Sequence, residues 1–147
     1  KKLKVNLIKK NIVAGLIGSL FAAAGVSHFL SPSFFEAIVP RWVPSPSLAN
    51  QISGALEIAL GCALLVPVTR RKAAWGLIVL LVIVFPANID MFVNNVKVSS
   101  GNGENIRVEG APDVWVRNLA RLPLQFVLAY LLYRQARPKS SRLPVGT

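Results

Sequence analysis

Residues 48–93 read LANQISGALEIALGCALLVPVTRRKAAWGLIVLLVIVFPANIDMFV, and this stretch decides the fold. Two apolar runs, 48–66 and 73–93, are divided by Pro67 and the basic triplet Arg70-Arg71-Lys72. Each has about the length an α-helix needs to cross ~30 Å of hydrocarbon at ~1.5 Å per residue. Working outward, a similar block covers about 11–30, and Pro32 and the proline-rich 40–46 end it. A fourth covers about 114–133, after a polar loop at 94–113 that contains Ser99-Ser100-Gly101-Asn102-Gly103. A basic tail rich in Pro and Ser follows. The four blocks predict one all-α membrane domain over 1–147, an up-down four-helix bundle.

Composition agrees. Hydrophobic residues make up 53% of the chain and the mean hydropathy is +0.52, above ordinary soluble values. The lysine-rich start and Ala22-Ala23-Ala24 also resemble a cleavable leader. The apolar run continues through Val26 and Phe29 to Leu30, past the ~7–15 residues of a leader core, so a retained helix is expected.

The net charge of +11 invites a nucleic-acid reading, which the placement of the charges excludes. A nucleic-acid binder gathers cations and aromatic rings on one solvated face. Here Lys1, Lys2, Lys4, Lys9 and Lys10 precede the first block, Arg70, Arg71 and Lys72 divide the second from the third, and Arg134, Arg137, Lys139 and Arg142 follow the fourth. Twelve of the seventeen Lys and Arg therefore fall on one side, and the positive-inside rule makes that side cytoplasmic, with both termini. Trp42 and Trp115 then lie at the outer interface and Trp75 at the inner one, where indole rings settle. The pattern suits an integral protein of a bacterial or archaeal plasma membrane. Cys62 stands alone beside one His and one Met, which leaves no disulfide, no CxxC pair and no metal set to predict.

Polar residues inside the blocks carry the functional signal. Gly15, Gly18, Ala22 and Gly25 form a small-residue stripe that His28 continues, and Gly54, Glu57 and Gly61 form another. Such stripes face neighbouring helices. Glu57 lies near mid-helix, where an acidic side chain costs ~2.5–3.5 kcal/mol on insertion scales. Arg121 is the expected partner, with Gln125 one turn deeper on the same face. Asn88 follows Pro86, and both Pro86 and Pro123 free a backbone carbonyl. By depth, His28, Asn88 and Arg121 belong to the outer half, Glu57 and Gln125 to the centre, and Asp90 to the outer helix end, where it reaches water. These six residues, His28, Glu57, Asn88, Arg121, Gln125 and Asp90, form one layer ~10 Å thick. They are the candidates for ligand binding or proton relay; no catalytic residue is assigned. Polar groups can equally lock helices together, at ~1–2 kcal/mol per hydrogen bond.

The ordered set Gly25-Val-Ser-His28-Phe, Pro32, Phe35, Ile38-Val-Pro40, Val43-Pro44, Ser53-Gly54-Ala-Leu-Glu57, Pro67-Val-Thr69-Arg70, Phe85-Pro86-Ala87-Asn88 and Arg121-Leu-Pro123-Leu-Gln125 resembles DoxX-type proteins. The resemblance runs from Gly15 to Tyr133, with most deviation expected at 98–109. It implies a four-helix membrane protein, named after a subunit of an archaeal thiosulfate:quinone oxidoreductase, with relatives in membrane redox and stress assemblies. Two functional expectations follow. One is the membrane subunit of a redox-linked system, holding a quinone-like cofactor or other small amphipathic ligand and receiving electrons from a membrane-associated protein partner. The other is a non-enzymatic scaffold or assembly factor with a structural polar interior. The ligand form requires a cavity that touches both Glu57 and Arg121; without one, the scaffold takes its place.

Overall fold

The computed structural model describes residues 2–137; Lys1, Lys139 and Arg142 lie outside them. The chain runs α1 (Lys2–Leu30), α2 (Pro32–Ile38), α3 (Pro46–Leu65), α4 (Arg70–Val93), β1 (Lys97–Gly101), β2 (Glu104–Val108) and α5 (Trp115–Ala136). All four apolar blocks are helical, and each helix departs from the expected bounds, by one to three residues in α3, α4 and α5 and by nine in α1. Helix α1 begins at Lys2 and not near 11, because the lysine-rich segment contains good helix formers and neither Gly nor Pro. Pro32 starts a helix as well as ending one, since a missing N–H costs nothing in a first turn. Pro46 repeats that role, with Ser45 Oγ accepting from the Leu48 N–H at 3.4 Å. The stretch 94–113, read as a polar loop, contains an antiparallel hairpin.

Three helices, α1, α3 and α4, are long and apolar enough to cross a membrane. Helix α5 does not reach that measure, because Arg117, Asn118, Arg121 and Gln125 dilute its apolar residues. Its Asn118, Gln125 and Gln135 are buried, while Val116, Leu124, Phe126 and Tyr130 are exposed. Large apolar side chains are exposed on α1 and α4 too; Leu16 and Val82 are 69% and 67% exposed. A water-facing surface seldom carries that much continuous apolar area.

Helix α1 packs antiparallel on α3 along a glycine ladder. A Cβ on Gly18 would sit 2.7 Å from Gly61 O, and one on Gly61 the same distance from Gly18 O. Seven residues on, a Cβ on Gly25 would meet Gly54 O at 2.6 Å. Only glycine permits backbones this close. Gly15 departs from the expected stripe, with nothing within 4 Å of its added Cβ.

Helices α4 and α5 form a second antiparallel pair, marked by edge-to-face contacts of Trp75 with Tyr133 and Phe85 with Phe126. The two pairs meet around Phe21, Leu64, Leu77, Leu80 and Leu132, in the half of the molecule nearer the α3–α4 turn. Arg70 staples that turn. Its Nε donates to Leu64 O at 3.0 Å, Nη2 to Leu65 O at 3.3 Å and Nη1 to Asn11 Oδ1 at 2.7 Å. The cation thus satisfies the last carbonyls of α3 and ties them to α1.

At the other end, α2 and the hairpin form a cap. Asn102 and Gly103 both have positive φ, +52° and +82°, the two-residue turn that fits strand twist. Lys97 pairs with Val108 and Gly101 with Glu104. Gly110 N–H donating to Asn94 O at 2.9 Å closes the base of the excursion.

Candidate functional site

The half of the bundle under the cap is polar. Asn50 Nδ2 donates to the His28 carbonyl at 3.1 Å, which leaves Asn50 Oδ1 as the acceptor facing His28 Nδ1 at 2.7 Å. That contact assigns the proton to Nδ1. His28 Nε2 then points at Glu57 Oε2, 3.5 Å away. Phe35 from α2 stacks on the imidazole, with ring centroids 3.9 Å apart. Glu57 Oε2 is buried and has no hydrogen bond among the described residues. With Nδ1 protonated, a proton at this contact can sit on Oε2, giving a neutral pair, or on Nε2, giving imidazolium beside carboxylate.

This pair opens on a cavity of about 490 Å³ between α3 and α4, roofed by α2 and the segment after it. Ligand pockets generally span ~300–1,000 Å³. Its polar wall is His28, Asn50, Ser53, Glu57 and Asn88; Phe35, Trp42, Leu81, Val84 and Met91 supply apolar and aromatic wall. Ile83, midway along α4 and 66% exposed, stands at its edge, so the cavity opens sideways from the bundle.

The six expected residues therefore separate. His28, Glu57 and Asn88 share the cavity. Arg121 does not reach Glu57; its Nη1 donates to Met91 Sδ at 3.1 Å, because α5 packs on α4 while Glu57 belongs to the α1–α3 pair. The expected Glu57–Arg121 pair is corrected to Glu57–His28, and the cavity that was to touch both touches Glu57 alone. Gln125 lies behind the wall, accepting from Asn88 Nδ2 at 2.6 Å and donating to Leu81 O. Gln125 thus ties α5 to the main chain of α4, one residue before the Val82 carbonyl that Pro86 leaves without its helical donor. Asp90 does not reach out to water. Arg107 Nη2 donates to its Oδ2 at 2.6 Å, and both side chains are nearly buried.

Three residues of this region escape the sequence reading. Asn50 lies one turn before Gly54 on the same stripe as Glu57, so extending that stripe backward finds it. Asn118, fully buried, donates from Nδ2 to Met91 O and Val96 O at 2.9 and 3.0 Å and closes the end of α4. Arg107 gives no local signal, because its partners come from three segments: Asp90, Glu109 and the Val39 carbonyl. Partial burial works against its charge, but hydrogen bonds to Asp90 and Glu109 outweigh that and raise its pKa, so it stays a cation. It clasps the cap to α4 directly above the cavity.

Residues 17–136 match the model of a family described as a domain of unknown function, DUF8561. The chain belongs to that family. The DUF8561 match runs from within α1 to the last residue of α5, and so includes the cavity, the cap and the glycine ladder. No curated protein and no solved structure matches the chain.

Proposed function

We propose that this DUF8561 protein is an integral protein of a bacterial or archaeal plasma membrane and binds a small amphipathic molecule in the cavity at Glu57. Its four long helices would form an up-down bundle with both termini cytoplasmic. The outward Phe126, Val127 and Tyr130 and the inward Asn118 and Gln125 support α5 as the fourth span. The observation that carries the ligand reading is Glu57 Oε2, buried and without a hydrogen bond beside a cavity with aromatic walls. An unpaired buried acceptor is costly unless something meets it. The Glu57 cavity does not reach Arg121, so the ligand form expected from the sequence is lost and on that criterion the scaffold takes its place; a different site, of Glu57, His28 and Asn88, carries the ligand reading proposed here.

A quinone-like head group suits these walls. Asn88 keeps a second Nδ2 proton for a quinone carbonyl and its Oδ1 for a quinol hydroxyl, and a proton can sit at His28 Nε2 or Glu57 Oε2. Phe35 and Trp42 offer faces to a ring, and the lateral opening at Ile83 admits an apolar tail from lipid. A membrane subunit of a redox-linked system, with electrons from a partner, remains part of this proposal and rests on the resemblance to DoxX-type proteins.

The scaffold reading is favoured on the α4–α5 side, where Gln125 and Arg121 find protein partners and Asn118 Nδ2 closes the end of α4, although Asn118 Oδ1 has no hydrogen bond among the described residues. Mass spectrometry of organic extracts from the purified full-length protein tests the two. Stoichiometric quinone or another ring-bearing lipid, lost in His28→Gln and Glu57→Gln proteins that remain folded, supports the cavity. Nothing but bulk phospholipid in the wild type and both variants leaves the scaffold.

A further inference from the structure

The opposite end of the molecule holds a second and larger cavity, about 720 Å³, between α1 and α5. Its wall includes Lys9 and Lys10 from α1 and Arg134, Gln135 and Arg137 from α5. Two features make it more than a solvated basic surface. All six Asp and Glu of the chain lie between residues 36 and 113, so neither helix contributes a carboxylate to this end. Gln135, only 4% exposed, holds a buried Oε1 with no hydrogen-bond partner among the described residues. Lys9 and Arg134 thus stand beside an acceptor without a donor among the described residues, while Lys10 Nζ donates to the Arg137 carbonyl at 3.4 Å and Arg137 packs on the Tyr133 ring.

Above the cations the wall turns apolar, with Ile12, Val13 and Leu131. Exposed Leu16 and Leu20 on α1 and Val127 and Tyr130 on α5 continue the apolar surface along both helices. We infer that this cavity binds the head group of an anionic phospholipid that carries a free hydroxyl, a phosphatidylglycerol-type lipid. The phosphodiester lies against Lys9 and Arg134, the head-group hydroxyl donates to Gln135 Oε1, and the acyl chains follow the crevice between α1 and α5. A phosphodiester alone offers Gln135 Oε1 only acceptors, choline offers it no donor, and an ethanolamine ammonium donates but brings a cation among Lys9 and Arg134, so a hydroxyl suits the site. Basic pockets between helices at the cytoplasmic face take anionic lipid head groups by the same electrostatics. The site is distinct from the Glu57 cavity but rests on the reading of α1 and α5 as membrane-embedded.

The test is native mass spectrometry of the full-length protein titrated separately with phosphatidylglycerol, phosphatidylmethanol and phosphatidylcholine. Phosphatidylglycerol is expected to bind most tightly, phosphatidylmethanol next and phosphatidylcholine least. Lys9→Gln with Arg134→Gln should weaken phosphatidylglycerol about thirtyfold, at the ~fivefold a Lys or Arg near the membrane surface contributes. Gln135→Leu should erase the preference for phosphatidylglycerol over phosphatidylmethanol while keeping that of both over phosphatidylcholine. Equal binding of phosphatidylglycerol and phosphatidylcholine by the wild type, a measurement that needs no variant, overturns the inference. Displacement of phosphatidylglycerol by millimolar inorganic phosphate overturns it in favour of a soluble phosphate ester. Alkaline carbonate extraction separates the two levels of failure. Release of the chain from membranes sinks the membrane reading itself, whereas retention without lipid preference sinks this site alone.

Discussion

A carboxyl group in the middle of an apolar helix needs a proton, a counter-charge or a ligand. Glu57 Oε2 is buried, lies 3.5 Å from His28 Nε2 and makes no hydrogen bond among the described residues. His28 and Glu57 should therefore be coupled: in a double-mutant cycle with His28→Gln and Glu57→Gln, the interaction term should reach ~0.5–3 kcal/mol. The same cycle between Glu57→Gln and Arg121→Met should be additive within ~0.5 kcal/mol, since their partners differ. Reversal of the two results would restore the pairing that depth alone suggests. Arg107 makes the second prediction at this scale. Its side chain and that of Asp90 are 10% and 14% exposed, and they bond at 2.6 Å. Arg107→Ala strands Asp90 and should approach the ~3–5 kcal/mol of a broken buried pair. Arg107→Gln with Asp90→Asn should recover most of that loss in a denaturation assay; equal losses for single and double variants would make the clasp incidental. Glu57 and His28 were legible because a charge in an apolar run stands out. Arg107 was not, because nothing in residues 97–113 announces that Asp90 and Val39 come within reach.

Among the elements, the α1–α3 pair is the most constrained. Gly61→Ala places a Cβ 2.7 Å from Ala22 N and Gly18 O, both backbone atoms that move only with their helix. Overpacking of that kind costs ~1–3 kcal/mol. Gly15→Ala meets open space and should gain up to ~1 kcal/mol from helix propensity. Thermal unfolding in detergent should move the two variants in opposite directions; equal shifts would mean that the ladder does not hold the pair. The hairpin adds a pH prediction. Asp113 accepts from Lys97 Nζ at 2.7 Å, which with its backbone hydrogen bond holds its carboxyl below the ordinary aspartate range. A depressed carboxyl stabilises the clasp above its unfolded pKa, and that stability fades as pH falls through the folded value. Hydrogen-exchange protection at 97–113, referred to the intrinsic rate at each pH, should therefore fall in acid for the wild type and less for Asp113→Asn; parallel acid profiles would sink the clasp. The Asn102-Gly103 pair was a hairpin signal in plain view. A polar loop links two apolar blocks equally well, and only the pairing of 97–101 with 104–108 decides for the hairpin.

On the scale of the whole molecule, the proposed orientation sets the cap outside and the α1–α5 cations inside. Ser100→Cys in a Cys62→Ala background should react with an impermeant maleimide added to intact cells. Labelling only after permeabilisation would invert the molecule. It would also move the Lys9–Arg134 cavity away from the anionic cytoplasmic leaflet. The Glu57 cavity arises at this scale because the two helix pairs meet tightly around Leu64, Leu77 and Leu132 at one end and admit a space between α3 and α4 at the other.

Composition and the length of the apolar blocks were enough to place the four long helices and to show which polar residues lie within them. Those properties are local, set by hydrocarbon thickness and helical rise. They also placed the polar half of the bundle away from the α3–α4 turn, because depth along a straight helix can be counted. Lateral neighbours cannot be counted in that way. Residues at one depth can belong to either helix pair, and only packing decided that His28 meets Glu57, Arg121 meets Met91 and Gln125 meets Asn88 and the Leu81 carbonyl. The same holds for Arg70. In the sequence it is one more cation between two spans; in the fold its guanidinium closes the end of α3, because the chain reverses there and leaves carbonyls that need a donor.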